Sequence, residues 1–202
     1  GVKYVLENGV TKDEDFIIIS KEELEEARFA HRKNKEGAGE KGKDIHSILE
    51  NIIKHAIEES EGIINGHSLG EEPQVSHFID WAMKNKVTFL ESEKRVYSEK
   101  YFFAGTLDFV CEIDGQVYVG DIKTSNGIYG RSYFAQCAAY ALCLEEMNYQ
   151  RPIAGTIVVR VGKDGKFSED KDAVVSLYLE DDKKFFLSAL EIYKQENNYI
   201  TI

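Results

Sequence analysis

A two-residue turn near the middle of the chain constrains the fold more than any other feature. Asp114-Gly115 separates two runs that are rich in aromatic and β-branched residues, 101–113 and 116–123. Asp-Gly between such runs is the strongest local signal for a β-hairpin, because both loop positions adopt a left-handed backbone. The turn predicts that Ile113 pairs with Gln116, which fixes the register of the residues behind this pair.

This register brings two carboxylates together. Asp108 faces Asp121 at a non-hydrogen-bonded pair, where Cβ atoms are about 4.5–5.5 Å apart on one sheet face. Two like charges so close are destabilising unless a cation lies between them, and carboxylate oxygens are ligands that Mg²⁺ prefers. Lys123 points to the same face about 6.6 Å along the strand, where it can meet a water or phosphate oxygen. A metal site is therefore predicted, with a surface ion cluster as the alternative.

The order of the other segments predicts one α/β (α+β) domain over residues 1–202. Helices are expected over 20–35, from Asp44 and after Pro73, then strands over 87–97, 101–113 and 116–123. A helix over 131–147, strands over 156–161 and 173–179, and a helix over 181–197 follow. The chain thus has a helical part to about residue 86, a sheet–helix core over 87–180 and a C-terminal helix over 181–197.

Composition and charge limit the classes of function. The 202 residues are 43% hydrophobic and carry a net charge of −11. A chain of this length can bury a core without disulfides, and its charge disfavours strong non-specific binding to duplex DNA. No apolar run is long enough for a membrane span or resembles a signal peptide, and the three cysteines form no CxxC pair. We expect a cytoplasmic protein without a membrane partner.

Four short motifs occur in the order of a known nuclease family. They are Gly42-Lys43-Asp44-Ile45-His46, Gly105-Thr106-Leu107-Asp108, Asp121-Ile122-Lys123-Thr124-Ser125 and Gln136-Cys137-Ala138-Ala139-Tyr140. Together they resemble the PD-(D/E)XK nuclease superfamily, specifically its RecB-type exonuclease branch, which includes mitochondrial genome maintenance, phage and bacterial enzymes. The resemblance covers about residues 40–145. It implies a restriction-endonuclease-like core and a Mg²⁺- or Mn²⁺-dependent exonuclease that acts on single-stranded DNA or DNA ends.

The resemblance also implies roles for individual residues. The metal ligands would be His46, Asp108, Asp121 and the backbone carbonyl of Ile122. Lys123 would orient or activate the attacking water. The substrate-contacting residues would be Gln136, Tyr140, Thr124, Ser125 and an acidic residue of the preceding strand, for which Glu93 and Glu91 both qualify. Because imidazole is a softer ligand than Mg²⁺ favours, Mn²⁺ would serve at least as well.

A basic stretch over residues 28–43 enters the helix of His46. It predicts a flap over a nucleic-acid strand, with Lys41 and Lys43 near the metal and Arg131 extending the contact on the other side. The alternative is a solvated helix end, and Lys94 and Arg95 are interpreted as strand-surface charges. Three cysteines are fewer than the four that hold an iron–sulfur cluster in some RecB-type nucleases, so no cluster is expected.

Two other functions remain open. One is a catalytically inactive nucleic-acid-binding module of the same fold. The other is a hydrolase that uses paired carboxylates on sugars or another non-nucleic substrate. This hydrolase would need an aromatic-lined cleft, and Trp81 is the single tryptophan of the chain. Residue spacing does not specify the oligomeric state or the polarity of cleavage.

Overall fold

The structure is a computed structural model that describes residues 12–13, 16–17, 45–65, 72–125, 127–162 and 166–197. The chain divides into two compact units, residues 1–44 and 45–202. In the first unit, strands β1 (Lys12–Asp13) and β2 (Phe16–Ile17) pair in antiparallel orientation. The helix predicted over 20–35 and the basic stretch that includes Lys41 and Lys43 lie outside the described residues.

The second unit is built on a five-stranded mixed sheet. Its elements in chain order are α1 (45–59), α2 (Pro73–Lys84), β3 (Thr88–Ser98), β4 (Phe103–Ile113), β5 (Gln116–Lys123), α3 (Ser132–Glu146), β6 (Ile153–Arg160), α4 (Glu169–Asp172), β7 (Ala173–Ser176) and α5 (Leu179–Asn197). The strand order is β3-β4-β5-β6-β7, and only β5 and β6 are parallel. That pair is joined through α3, because parallel strands need a crossover. The predicted α/β fold with a mixed sheet flanked by helices is confirmed.

The predicted hairpin turn is present between β4 and β5. Asp114 and Gly115 have φ angles of +49° and +77°, and Ile113 pairs with Gln116. A glycine in the left-handed region avoids the steric cost of a Cβ atom, so this dipeptide closes the turn with little strain. The predicted register is therefore present from Ile113–Gln116 to Phe109–Gly120, and the ladder ends one pair before Asp108 and Asp121.

The sheet separates two hydrophobic clusters. The first contains the apolar stripes of α1 and α2 together with Phe109 and Ile122. The second contains the buried side of α3 together with Val110 and Val119. Because successive residues of a strand point to opposite faces, Phe109 and Val110 assign the clusters to opposite sides of the sheet. Among the described residues, no helix combines the length and apolar character that a membrane crossing requires.

Candidate metal centre

Asp108 is fixed in place by the neighbouring strand. The β4–β5 ladder runs from the turn to the pair Phe109–Gly120. A Cβ atom at position 120 would lie 2.0 Å from the ring of Phe109, so only glycine lets this ring cover the strand. One residue further along β4, Oδ2 of Asp108 accepts a hydrogen bond of 2.7 Å from the backbone N–H of Ile122. This bond orients the Asp108 carboxylate.

The third strand contributes Glu93. The β3–β4 register shifts between Phe89 and Glu91, and beyond that point Ser92 pairs with Phe109 and Lys94 with Leu107. Glu93 is therefore opposite Asp108. Its φ angle is +48°, a left-handed conformation that costs a non-glycine residue roughly 1–2 kcal/mol. Such outliers are concentrated at functional sites, where the surrounding structure holds them.

His46 completes a group of three possible ligands. Its Nε2 lies 3.6 Å from Oδ1 of Asp108 and 4.0 Å from Oε1 of Glu93. The ligand atoms of these three half-buried residues all lie within 4.8 Å of one another. Ligands of an octahedral Mg²⁺ are about 3.0 Å apart when adjacent and about 4.2 Å apart when opposite. Small side-chain movements would thus place these three atoms around one ion.

Asp121 lies beside this group and is paired with a lysine. Its exposed fraction is 2%, and Nζ of Lys123 lies 2.7 Å from Oδ1 and 2.7 Å from Oδ2. Nζ donates a hydrogen bond to Oδ1, and its charge also lies against the buried Oδ2. The strand spacing did not predict this contact, because the long side chain of Lys123 folds back onto a carboxylate that burial would otherwise leave uncompensated.

Burial and nearby carboxylate charges shift three pKa values at this site. Burial, reinforced by the charge of Asp108, raises the pKa of Asp121 to about 6. The Asp108 carboxylate raises the pKa of His46, although burial works against it. Burial also raises the pKa of Glu93, with the charges of Glu50 and Asp108 acting in the same direction. The carboxylate charge of Asp108 contributes to each shift, and a positive charge near it would act in the opposite direction on Asp121 and Glu93.

The α3 helix supplies the predicted glutamine and tyrosine. Nζ of Lys123 lies 3.5 Å from Oε1 of Gln136, and Nε2 of Gln136 donates to the Tyr140 hydroxyl at 3.2 Å. Gly105 lets the tyrosine approach, since a Cβ atom there would lie 2.6 Å from the ring of Tyr140. These contacts explain why a glycine in β4 accompanies a Gln-x-x-x-Tyr pattern on the helix. The structure brings Lys123, Gln136 and Tyr140 together.

Glu93, not Glu91, lies at the site. Glu91 forms an ion pair of 2.7 Å with Lys94, so the alternative left open by the sequence resolves in favour of Glu93. The bulge between Phe89 and Glu91 shifts the register so that Glu93 is opposite Asp108. Alternation of side chains along the sequence cannot predict this shift. The metal role of the Ile122 carbonyl stays a prediction, since the contact that the structure shows is made by the backbone N–H.

Arg131 has a different partner from the one that the sequence suggested. Its Nε donates to Oδ1 of Asp182 at 2.7 Å, and its guanidinium lies 5.5 Å from the ring centre of Phe185. Asp182 is buried in α5, so the ion pair connects the start of α3 to that helix. Arg131 thus stabilises helix packing, and its contact with nucleic acid stays a prediction.

The loop after Lys123 is fixed by a residue that sequence reasoning missed. The Ser125 hydroxyl donates to the Gly127 carbonyl at 2.7 Å, and Nη1 of Arg160 donates to the Ser125 carbonyl at 3.1 Å. Thr124 is half-buried between them. Arg160 follows an apolar strand and pairs in register with Lys123. A charged residue at the end of a buried strand is a weak signal, so Arg160 was not predicted to have a role.

Comparisons with models of known protein families and with curated protein sequences find no match to this chain.

Proposed function

We propose that the protein is a divalent-metal-dependent deoxyribonuclease, an exonuclease that hydrolyses phosphodiester bonds in single-stranded DNA or at DNA ends. One observation carries this proposal. The ligand atoms of His46, Glu93 and Asp108 lie within 4.8 Å of one another, beside an Asp121 whose buried charge is shared with Lys123. The motif resemblance supplies the substrate class.

The donor set fits a divalent cation. Two carboxylates and one imidazole form the group, and the carboxylate of Asp121, which is paired with Lys123, is electrostatically coupled to it. Carboxylate oxygens suit Mg²⁺ and Mn²⁺, and the imidazole nitrogen shifts the preference towards Mn²⁺. His46, Glu93, Asp108 and Asp121 would hold the ion. When bound, the ion would polarise the scissile phosphate and lower the pKa of a water molecule.

The chain's own residues would position the reactants. The hydrogen bond from Ile122 N–H holds one oxygen of Asp108, so its other oxygen stays directed towards His46. Lys123 carries an ammonium group that can orient a water molecule and stabilise negative charge that develops on the phosphate. Gln136 lies within 3.5 Å of that ammonium and keeps it next to Tyr140.

Two observations bear on the alternatives. Trp81 is buried in the first hydrophobic cluster, with an exposed fraction of 3%, so it cannot line the aromatic cleft that a sugar hydrolase would need. Asp108, Asp121 and Lys123 are all present, which disfavours an inactive module. The three cysteines are unpaired and buried, which suits the reducing cytoplasm that we propose as its location.

A cleavage assay tests the proposal. End-labelled single- and double-stranded DNA is incubated with the protein and Mg²⁺, Mn²⁺ or EDTA. We expect metal-dependent degradation of single strands from an end, and none in EDTA. Asp121→Asn should reduce the rate more than about a hundredfold, since even the outer-shell partners of metal ligands are each worth ten- to a hundredfold.

The matched control is Asp181→Asn, which removes one carboxylate from an exposed position on α5. It should cleave at the wild-type rate. Full activity of Asp121→Asn would exclude the proposed site. Binding of DNA without cleavage under every metal condition would instead indicate an inactive module.

A further inference from the structure

The β3–β4 hairpin has one exposed face on the side of its connecting turn. Pairing sets Tyr97 opposite Ala104 and Arg95 opposite Thr106. All four residues are exposed, whereas the intervening Val96 is buried against α3. Alternation along the strands places Arg95, Tyr97, Ala104 and Thr106 on one side of the hairpin. Exposed Phe102 lies in the connecting turn next to Ala104, and these five residues are called the outer face.

The same alternation leads from this outer face to the candidate metal centre. Two residues beyond Arg95 and Thr106 are Glu93 and Asp108, which face each other across the same two strands. Tyr97 is four residues from Glu93, or about 13 Å along a strand. An aromatic group, a cation and the proposed metal ligands thus follow one another along a single hairpin.

Phe102 is the least expected residue of the outer face. Its exposed fraction is 88%, although burial of a phenylalanine is strongly favourable. Its φ angle is +61°, a conformation that glycine, asparagine or aspartate adopts more easily. Its backbone N–H donates to the Ser98 carbonyl at 3.0 Å, which accounts for the turn but not for the exposed ring. Strain held at an exposed aromatic residue indicates a binding role.

The turn that presents Phe102 is held rigidly. Oε1 of Glu146 accepts hydrogen bonds from the backbone N–H groups of Glu99 and Lys100 at 2.8 and 2.9 Å. Oε2 accepts one from the Ser98 hydroxyl at 2.7 Å. Nζ of Lys194 donates to the Tyr101 carbonyl at 2.8 Å. A side chain on a fixed turn loses little conformational entropy when it binds a ligand.

A groove adjoins Phe102. Its volume is about 610 Å³, and it is lined by Ser98, Glu99, Phe102, Phe103 and Ala104. Most of this lining is apolar, which suits the flat face of a nucleobase. Glu99 is the carboxylate of the groove and would repel a phosphate. A nucleic-acid backbone is therefore expected to run on the side of Arg95.

We infer that the outer face of the hairpin binds a single strand of DNA and directs it to the metal centre. Phe102 and Tyr97 are stacking platforms for unpaired bases, and Arg95 contacts a phosphate between those bases and the site. Phenylalanine has no hydrogen-bonding group, so binding is independent of base sequence. Paired bases are not available to such platforms, so the strand must be single. This inference rests on the proposed function and specifies its substrate.

Binding can be measured without catalysis. Fluorescence anisotropy of a labelled oligothymidylate is recorded in EDTA at low salt with the full chain. Phe102→Ala should weaken binding about fivefold to 150-fold, the range for loss of one base–aromatic stack. Phe102→Trp should retain it. Arg95→Gln should weaken binding and reduce the slope of log affinity against log salt by about 0.7, as expected for one phosphate contact on a single strand.

The matched control is Tyr178→Ala, which removes an aromatic residue of 73% exposure between β7 and α5, away from the outer face. It should bind like the wild type. Equal affinity of Phe102→Ala and wild type overturns the inference, whatever the cleavage assay shows. A second result would also overturn it: sedimentation velocity shows that the wild type is a dimer, and Phe102→Ala dissociates this dimer without changing the affinity for the oligonucleotide.

A small substrate separates this inference from the proposed function. The p-nitrophenyl ester of thymidine 5′-phosphate, with Mn²⁺, needs the metal centre but not the stacking platforms. Phe102→Ala should hydrolyse it at the wild-type rate while losing affinity for the oligonucleotide. If the wild type hydrolyses neither the ester nor DNA, the proposed function fails, and the anisotropy result still decides the inference.

Discussion

Two charged groups lie at the ends of adjacent strands and differ in how completely their charges are compensated. At the end of β6, buried Arg160 forms an ion pair with buried Asp172 and donates to the carbonyl oxygens of Ser125 and Lys166. The other oxygen of Asp172 accepts from the Ser168 N–H at 2.7 Å. The charges and hydrogen bonds of this group are matched within the protein.

In the group at β3, β4 and β5, which is the candidate metal centre, the negative charges exceed the positive ones. Glu93, Asp108 and Asp121 face the ammonium of Lys123 and the imidazole of His46. The nearby ammonium of Lys54 is paired with a further carboxylate, that of Glu50. Burial and mutual repulsion raise the pKa of two of these carboxyls. A complete ion pair such as that of Arg160 and Asp172 stabilises the fold, whereas an excess of carboxylates is the environment that the proposed cation would neutralise.

Replacing Arg160 with methionine should give the largest effect on stability. The substitution leaves Asp172 buried without its counter-ion, which typically costs about 3–5 kcal/mol. The free energy of unfolding is measured by urea denaturation in EDTA. Arg160→Lys, which keeps the charge, should lose less. If Arg160→Met lowers the free energy of unfolding by less than about 1 kcal/mol, the Arg160–Asp172 pair contributes little to stability, and the contrast with the candidate metal centre fails.

Acidification should stabilise the group of Glu93, Asp108 and Asp121, whereas it weakens an ordinary salt bridge. The pKa of Asp121 is about 6 in the folded protein against a reference of 3.8, so the folded state binds a proton that the unfolded state releases. The free energy of unfolding without metal should therefore rise by on the order of 1 kcal/mol from pH 7 to pH 5.

The raised pKa of His46 acts in the same direction. Its contribution is complete below its unfolded pKa and is lost as the pH rises through the folded value. Urea denaturation at both pH values, with Asp121→Asn as the control, measures the change. The variant should show a smaller gain on acidification. A wild-type stability that falls between pH 7 and pH 5 would contradict the assignment of excess negative charge.

Tyr140→Phe should have the smallest effect. It removes the hydroxyl that accepts from Gln136 and leaves the ring against Gly105, so the loss of stability should be about 1 kcal/mol or less. Cleavage should slow by only a few-fold, since Lys123 keeps its contact with Asp121. Tyr129→Phe, at an exposed loop position, is the matched control. A loss as large as that of Asp121→Asn would place Tyr140 in the chemical step.

The sequence predicted the features that depend on local chemistry. The Asp114-Gly115 turn defined the register, and the register placed Asp108 beside the strand of Asp121. The apolar stripe of α1 and the proline at the start of α2 predicted those helices. Each signal depends on a backbone preference or on helical periodicity, both of which operate within a few residues.

Features that depend on long-range contacts could not be predicted in this way. The choice of Glu93 over Glu91 required the bulge in β3, and the fold-back of Lys123 required the burial of Asp121. The pairing of Arg131 with Asp182 joins residues far apart in the sequence. The short helix α4 was also not predicted, because four residues give too little periodicity.

The central claim is that His46, Glu93, Asp108 and Asp121 bind a divalent cation. Calorimetric titration of Mn²⁺ into metal-free protein tests it most directly, with Asp108→Asn as the variant and Asp181→Asn as the matched control. The account predicts saturable binding to the wild type and the control, and binding that is lost or strongly weakened in Asp108→Asn. Absence of saturable binding to the wild type, or equal binding to Asp108→Asn, would contradict it.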